Sequence, residues 1–248
     1  MDLKGKVAII TGSGAGIGEE AAVKLAAMGV KVCCNSVTDT AAKVAEKIRG
    51  QGGEAIFVKA DVSQPKDAER IIAETVKSFG GIDILVNNAG TVIPGNVENT
   101  TLGDWERTLA VNVTGVYLVS QAALPYLKKT KGTIVNTSSV VALKGIKERF
   151  AYTASKGAVS AMSRSMAADL LEFGIRVNCL SPGTTYTPSL EQRFKKFPDY
   201  DKAKAAFIAR QPMGRLGEAG ELADAIIYLV QATFCTGTEL SVDGGMTM

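Results

Sequence analysis

Short apolar runs rich in β-branched residues alternate along the chain with longer segments whose apolar residues recur at helical spacing. The first kind predicts strands and the second amphipathic helices. Strands are expected at 7–11, 31–35, 55–59 and 82–86, then at 133–137, 175–180 and 239–242. Helices are expected at 16–28, 39–49, 66–79, 152–173 and 218–230. Four of them run into a glycine stop, at Gly29, Gly50, Gly80 and Gly174. Residues 104–129 predict helix in two pieces that meet near Asn112. The strands are near-continuous apolar runs without alternation, which predicts a parallel sheet covered on both faces. The order of elements predicts the α/β class: a single-domain, Rossmann-like, doubly wound fold with a mainly parallel seven-stranded sheet flanked by helices. No linker, repeat or low-complexity stretch divides residues 1–248, so one domain is expected, with one irregular insertion at 188–212.

The first strand runs straight into TGSGAGIG, Thr11 to Gly18, and then into a helix. Glycines there permit a tight turn and close approach of a pyrophosphate, and the helix N-terminus supplies free N–H groups and a positive dipole end. Strand before and helix after are the context a dinucleotide loop needs. Gly12, Ser13, Gly14, Gly16, Ile17 and Gly18 are therefore candidate cofactor-binding residues.

Composition removes several alternatives. The 248 residues carry 28 Lys+Arg and 25 Asp+Glu, a net charge of +3. That is too small to argue for nucleic acid, and 46% hydrophobic content excludes intrinsic disorder. There are no histidines, so Ser-His-Asp hydrolysis and His-ligated metal sites are excluded, and no metal is expected. Cys33, Cys34, Cys179 and Cys235 form no CxxC pair and are expected as reduced thiols, mostly buried. No signal-peptide core and no run of ~20 apolar residues is present. A cytoplasmic protein without a membrane partner is expected.

Tyr152 and Lys156 form YxxxK on a predicted helix, a spacing that puts both on one face. Free tyrosine, with a pKa of ~10, is a poor base at neutral pH. A neighbouring ammonium favours the phenolate, which gives acid–base chemistry to a chain without imidazole. Alone, the pattern also fits two solvated helix residues.

Taken together, these motifs resemble the short-chain dehydrogenase/reductase family over residues 6–245. Gly12, Gly16 and Gly18 match its TGxxxGxG pattern. Asp61-Val62 matches the pair that meets the adenine, and NNAG, with Asn88, Ala89 and Gly90, the motif beside the adenine ribose. Pro182, Gly183 and Thr187 match the PGxxxT segment at the nicotinamide. Asn112, Ser139, Tyr152 and Lys156 match the catalytic tetrad, with Ser138 the less favoured neighbour of Ser139. The resemblance implies that Tyr152 exchanges the alcohol proton while hydride moves to or from the nicotinamide. Ser139 would hold the substrate oxygen, and the Asn112 main chain a relay water. Lys156 would hold the nicotinamide ribose and lower the Tyr152 pKa. NAD-selective members carry an acid at the end of the second strand; here that place holds Ser36, followed by Val37. The basic residue many NADP users carry in the loop is Ala15 here, and Asp39 can instead cap the next helix. The coenzyme is NADP or NAD, the balance tilting to NADP.

In this family the insertion at 188–212 forms a lid over the substrate. It carries six Lys or Arg (Arg193, Lys195, Lys196, Lys202, Lys204, Arg210) against Glu191, Asp199 and Asp201. The lysines are expected on a solvated face. Arg149, Arg193 and Arg210 resemble the arginines that clamp a carboxylate in the hydroxybutyrate and sugar-acid dehydrogenases of the family. The substrate expected is a small hydroxy acid or sugar acid, bound by Ser139, Tyr152 and these arginines. A 3-oxoacyl-acyl-carrier-protein reductase, a neutral sugar (glucose-type) dehydrogenase and a ketone reductase stay open. So does a non-catalytic coenzyme-sensing binding protein. Trp105 is expected in packing, and Lys128, Lys129 and Lys131 at a solvated helix end. The tail TGTELSVDGG resembles family segments near subunit contacts, implying a homotetramer or a homodimer.

Overall fold

The computed structural model describes residues 2–248. Seven strands form one sheet: β1 (Val7–Ile10), β2 (Lys31–Ser36), β3 (Ala55–Lys59), β4 (Ile84–Asn87), β5 (Thr133–Thr137), β6 (Arg176–Pro182) and β9 (Glu239–Val242). Two further strands, β7 (Thr185–Tyr186) and β8 (Gly217–Glu218), pair with each other outside it. The spatial order is β3-β2-β1-β4-β5-β6-β9, and every neighbouring pair is parallel. The expected fold class is therefore present, and the sheet is wholly parallel.

Parallel pairing explains the continuous apolar runs. Adjacent strand residues face opposite sides, and both sides are covered. Ala8, Ile10, Val32 and Cys34 pack under α1 (Gly16–Ala27), α2 (Thr40–Gly50) and α9 (Ala219–Gln231). Ile9, Cys33, Leu85 and Ile134 pack on the opposite side under α3 (Pro65–Phe79), α5 (Gly115–Thr130) and α6 (Phe150–Leu170). Cys33, Cys34 and Cys179 are buried, and Cys235 is partly covered.

The break expected near Asn112 is a π turn over Ala110–Thr114, between α4 (Leu102–Leu109) and α5. There the Gly115 N–H reaches the Ala110 carbonyl, five residues back. The hydroxyl of Thr101 caps α4 by accepting from Asp104 N at 3.1 Å. Trp105 lies against Phe150 with ring centroids 5.6 Å apart, joining α4 to α6.

Two local expectations are corrected. The insertion at 188–212 is not irregular: it holds α7 (Pro188–Phe194) and α8 (Tyr200–Ile208), capped by Thr187 and Asp199. Leu190, Phe194, Ala203, Phe207 and Leu216 form an apolar cluster of its own there. Asp39 stands at the N-cap position of α2, but its carboxylate makes no cap. It pairs with Lys59 at 2.9 Å, and Ser36 Oγ accepts from Ala41 N instead. Among the described residues no helix is long and apolar enough to cross a membrane.

Candidate active site

The strand order reverses direction between β1 and β4, so the C-terminal ends of the strands diverge there into a crevice. Polar side chains fix that edge. Thr11 Oγ1 accepts from the N–H groups of Asn88 and Ala89, both at 3.0 Å. Asn88 Nδ2 donates to the carbonyls of Thr11 and Gly12 at 3.1 Å. Asn87 Nδ2 donates to Asn136 Oδ1 at 2.8 Å, and Asn136 Nδ2 to Ser163 Oγ at 2.9 Å, tying β4, β5 and α6 together. Thr11 and Asn87 open motifs read from the sequence without a role of their own there, and Asn136 was not singled out. The signal available was a polar residue at the end of three successive apolar strands.

A cleft of about 620 Å³ follows this edge. Gly12, Gly14, Gly16 and Ile17 line one end, with Ser36, Asp61 and Val62 beside them. Asn88, Ala89 and Gly90 line its middle, Ser139, Tyr152 and Lys156 its other end, and Thr187, with Pro182 and Gly183, lines it against Gly16 of the loop. Ser13, Gly18 and Asn112 lie behind the lining. Ser13 is buried against Asn35, its Oγ accepting from Asn35 N at 2.9 Å.

The loop fits a dinucleotide. Gly12 has φ +64°, and a Cβ there would lie 2.7 Å from Ala89 Cα. Gly16 has φ +60°, and its Cβ would lie 2.9 Å from Thr187 Cγ2. Neither place admits a side chain, so the backbone is free to meet a phosphate. Ala15, the N-cap of α1, has no capping side chain, which leaves the helix N–H groups facing the cleft. Replacing Gly12 by Ala is expected to destabilise the fold by about 1–3 kcal/mol. That corresponds to a fall in Tm of several degrees, with a higher KM for the coenzyme. A thermal melt with and without coenzyme checks it, and an unchanged melt would show that the loop relaxes around the methyl.

Beside the glycine loop, Ser36 Oγ donates to the Thr38 carbonyl at 2.6 Å, so its hydroxyl is engaged within its own turn. Burial pushes the Asp61 carboxyl up, but hydrogen bonds from Ser63 and the Arg107 guanidinium outweigh it and hold it below the usual value. Both Arg107 terminal nitrogens lie 3.3 Å from Asp61 Oδ2. Arg107 lines the cleft and was also missed, since nothing in its local sequence distinguishes it from a solvated helix residue.

At the other end, Ser139 leaves β5 and Tyr152 and Lys156 lie on α6, with Lys156 Nζ 5.8 Å from the Tyr152 ring centre. Lys156 is buried and donates to the Thr137 carbonyl at 2.6 Å. Burial pulls its ammonium down to about 8. Its remaining N–H donors suit the hydroxyls of a ribose. The hydroxyl of Thr137 is buried without a partner. Asn112 Nδ2 donates to Ser155 Oγ at 2.9 Å and to the Thr91 carbonyl at 3.0 Å, and its Oδ1 accepts from Thr91 N. Those bonds spend its side chain on the scaffold.

Burial pushes the Tyr152 phenol above its ordinary value. The nearby Ser139 hydroxyl and the charges of Arg193 and Arg149 oppose that push. Arg149, Arg193 and Arg210 all line the cleft beside Tyr152. Among the described residues no carboxylate lies within ion-pair distance of any of the three. Burial, with Arg193 and Arg210 nearby, lowers Arg149 to about 10. Burial likewise lowers Arg193 and Arg210. The three cations are thus gathered against their mutual repulsion at the reactive end.

The chain is similar to known proteins over nearly its whole length. A family model described as enoyl-(acyl carrier protein) reductase matches residues 12–247. An uncharacterized oxidoreductase of Thermotoga maritima is 45% identical over 100% of this chain and 99% of its own. An L-fucose dehydrogenase of Bos taurus is 37% identical over 97% of this chain and 89% of its own. A glucose 1-dehydrogenase of Gluconobacter oxydans is 40% identical over 98% of this chain and 92% of its own.

Proposed function

Because the chain belongs to the short-chain dehydrogenase/reductase family, and so is an NAD(P)-dependent oxidoreductase of CH–OH groups, we propose that it interconverts a small hydroxy acid or sugar acid with its keto form. The observation that carries this reading is the unpaired Arg149, Arg193 and Arg210 cluster beside Tyr152. The half-buried guanidinium groups of Arg149 and Arg193, with the exposed Arg210 beside them, are costly without a carboxylate unless an anion meets them. When bound, the nicotinamide accepts or returns the hydride. Tyr152 takes or gives the hydroxyl proton, and Ser139 holds the substrate oxygen beside it. Lys156 binds the ribose, and Asn112 keeps the π turn in place behind it. The coenzyme is held by the loop from Gly12 to Gly18, by Asp61 and Val62, by Asn88 to Gly90, and by Pro182, Gly183 and Thr187. Ser36 carries no charge to repel a 2′-phosphate, which favours acceptance of NADP beside NAD.

Neutral sugars are the second reading, favoured by the names of the bovine and Gluconobacter relatives. Initial rates from reduced-coenzyme absorbance separate the two. Each coenzyme is offered with 3-hydroxybutyrate, sugar acids, glucose and L-fucose. Turnover of an acid supports the arginine reading, and turnover of neutral sugars alone overturns it. Replacing Arg193 by Ala is expected to raise KM for the acid by roughly 10- to 100-fold, about 1.4–2.8 kcal/mol, with KM for the coenzyme unchanged. Equal constants in wild type and variant would count against the clamp.

A further inference from the structure

The lid contains an acid that does not face the arginines. Glu191 lies on α7 two residues before Arg193, a separation that turns the two side chains to different sides of a helix. Its Oε2 accepts from Tyr186 Oη at 2.6 Å and from Tyr200 Oη at 2.8 Å. Tyr186 belongs to β7 and Tyr200 opens α8, so one carboxylate joins three consecutive elements. Lys195 Nζ lies 3.6 Å from the other oxygen. Phenol-to-carboxylate bonds of this length are charge-assisted and strong for their kind.

Two of the three cleft arginines lie on or just past these helices. Arg193 is on α7, and Arg210 follows the end of α8 by two residues. Both line the cleft. Beneath them Phe194 meets Tyr200 and Phe207 edge-on, with ring centres 5.8 and 5.1 Å apart. Edge-on aromatic contacts pack α7 against α8, and a carboxylate bonded to hydroxyls of both neighbouring elements adds directional contacts that set register.

We propose that Glu191 is a positioning residue: its bonds to Tyr186 and Tyr200 lock α7 against α8, so that Arg193 and Arg210 reach one anionic group together. This rests on the reading of the arginines as the site of the substrate's negative charge. Glu191 touches neither substrate nor coenzyme, and acts through the arginines alone.

The test compares Glu191→Ala, Glu191→Gln and Tyr200→Phe with wild type and with Arg193→Ala. Two quantities are read: steady-state constants for 3-hydroxybutyrate and for the coenzyme, and hydrogen exchange over residues 188–208. Thermal melts establish that each variant is folded, and Tyr200→Phe supplies a milder change should Glu191→Ala fail to fold. The expected result is a rise of about tenfold in KM for the acid in Glu191→Ala. Its kcat and coenzyme KM stay within twofold, and exchange over α7 and α8 is faster. Glu191→Gln, whose amide oxygen still accepts a phenol, restores most of the loss, and Tyr200→Phe shows a smaller rise. Unchanged exchange in Glu191→Ala overturns the proposal. Faster exchange with an unchanged acid KM also overturns it, provided Arg193→Ala raises that constant. If neither variant alters the acid constant, or wild type turns over neither 3-hydroxybutyrate nor the sugar acids, the arginine reading itself has failed and this inference goes with it.

Discussion

Replacing Tyr152 by Phe is expected to lower kcat by about three orders of magnitude, within the range typical of a lost general acid–base group, while both KM values stay close to wild type. In the proposed reading the phenol exchanges the proton, and it lines the cleft together with Ser139. Phe keeps the ring and the packing of α6 and removes only the hydroxyl. The chain contains no histidine to take over. The competing base is Lys156, whose ammonium burial already lowers to about 8. Initial rates against pH distinguish the two. A near-inactive Tyr152→Phe enzyme assigns the proton to the phenol. A residual rate above a few per cent of wild type, with a limb near pH 8, would assign it to Lys156.

The double replacement of Arg149 and Arg193 by Gln is expected to lower kcat/KM for an acid substrate by two to three orders of magnitude, about 3–4 kcal/mol. Part of that loss is binding. The rest concerns protonation, because both cations favour the Tyr152 phenolate. Removing them raises the phenol pKa further. Alcohol oxidation needs the phenolate, so its acid limb moves to higher pH. Carbonyl reduction needs the phenol, so its alkaline limb moves to higher pH as well. Ser139, the other group acting on the phenol, is unchanged in the variant. The double mutant should therefore show both a weaker substrate constant and a displaced limb in the pH profile of kcat/KM. A weaker constant with a stationary limb would confine the arginines to binding.

The legible part of the chain was the part governed by period and local chemistry. Seven strands and the helices between them followed from apolar runs and glycine stops, because a parallel sheet covered on both sides leaves few polar interruptions. The meeting of two helical pieces near Asn112 was also readable, although its being a π turn was not. The lid was misjudged as irregular because its helices are only seven and nine residues long, too short for periodicity to stand out. Asp39 was weighed as a cap from its place before a helix, yet Lys59, distant in sequence, draws its carboxylate away. Arg107 and Glu191 were invisible as site residues for the same reason. Their partners Asp61, Tyr186 and Tyr200 are brought to them by loops and turns whose direction the sequence pattern does not encode. The gathering of Arg149, Arg193 and Arg210 was anticipated from resemblance, but their leverage on Tyr152 emerged only from the folded geometry.

The small apolar cluster beneath α7 and α8 stands apart from the two layers that cover the sheet. Selection therefore meets two nearly independent problems in one chain. Substitutions among Leu190, Phe194, Ala203, Phe207 and Leu216 are felt within that cluster, while the strand ends and α6, which carries Tyr152, keep their own support. Distant substitutions of this kind combine additively. What such an enzyme accepts can drift over generations while the way it moves a hydride is conserved, and a lineage can acquire new substrates without passing through an unfolded or inactive ancestor.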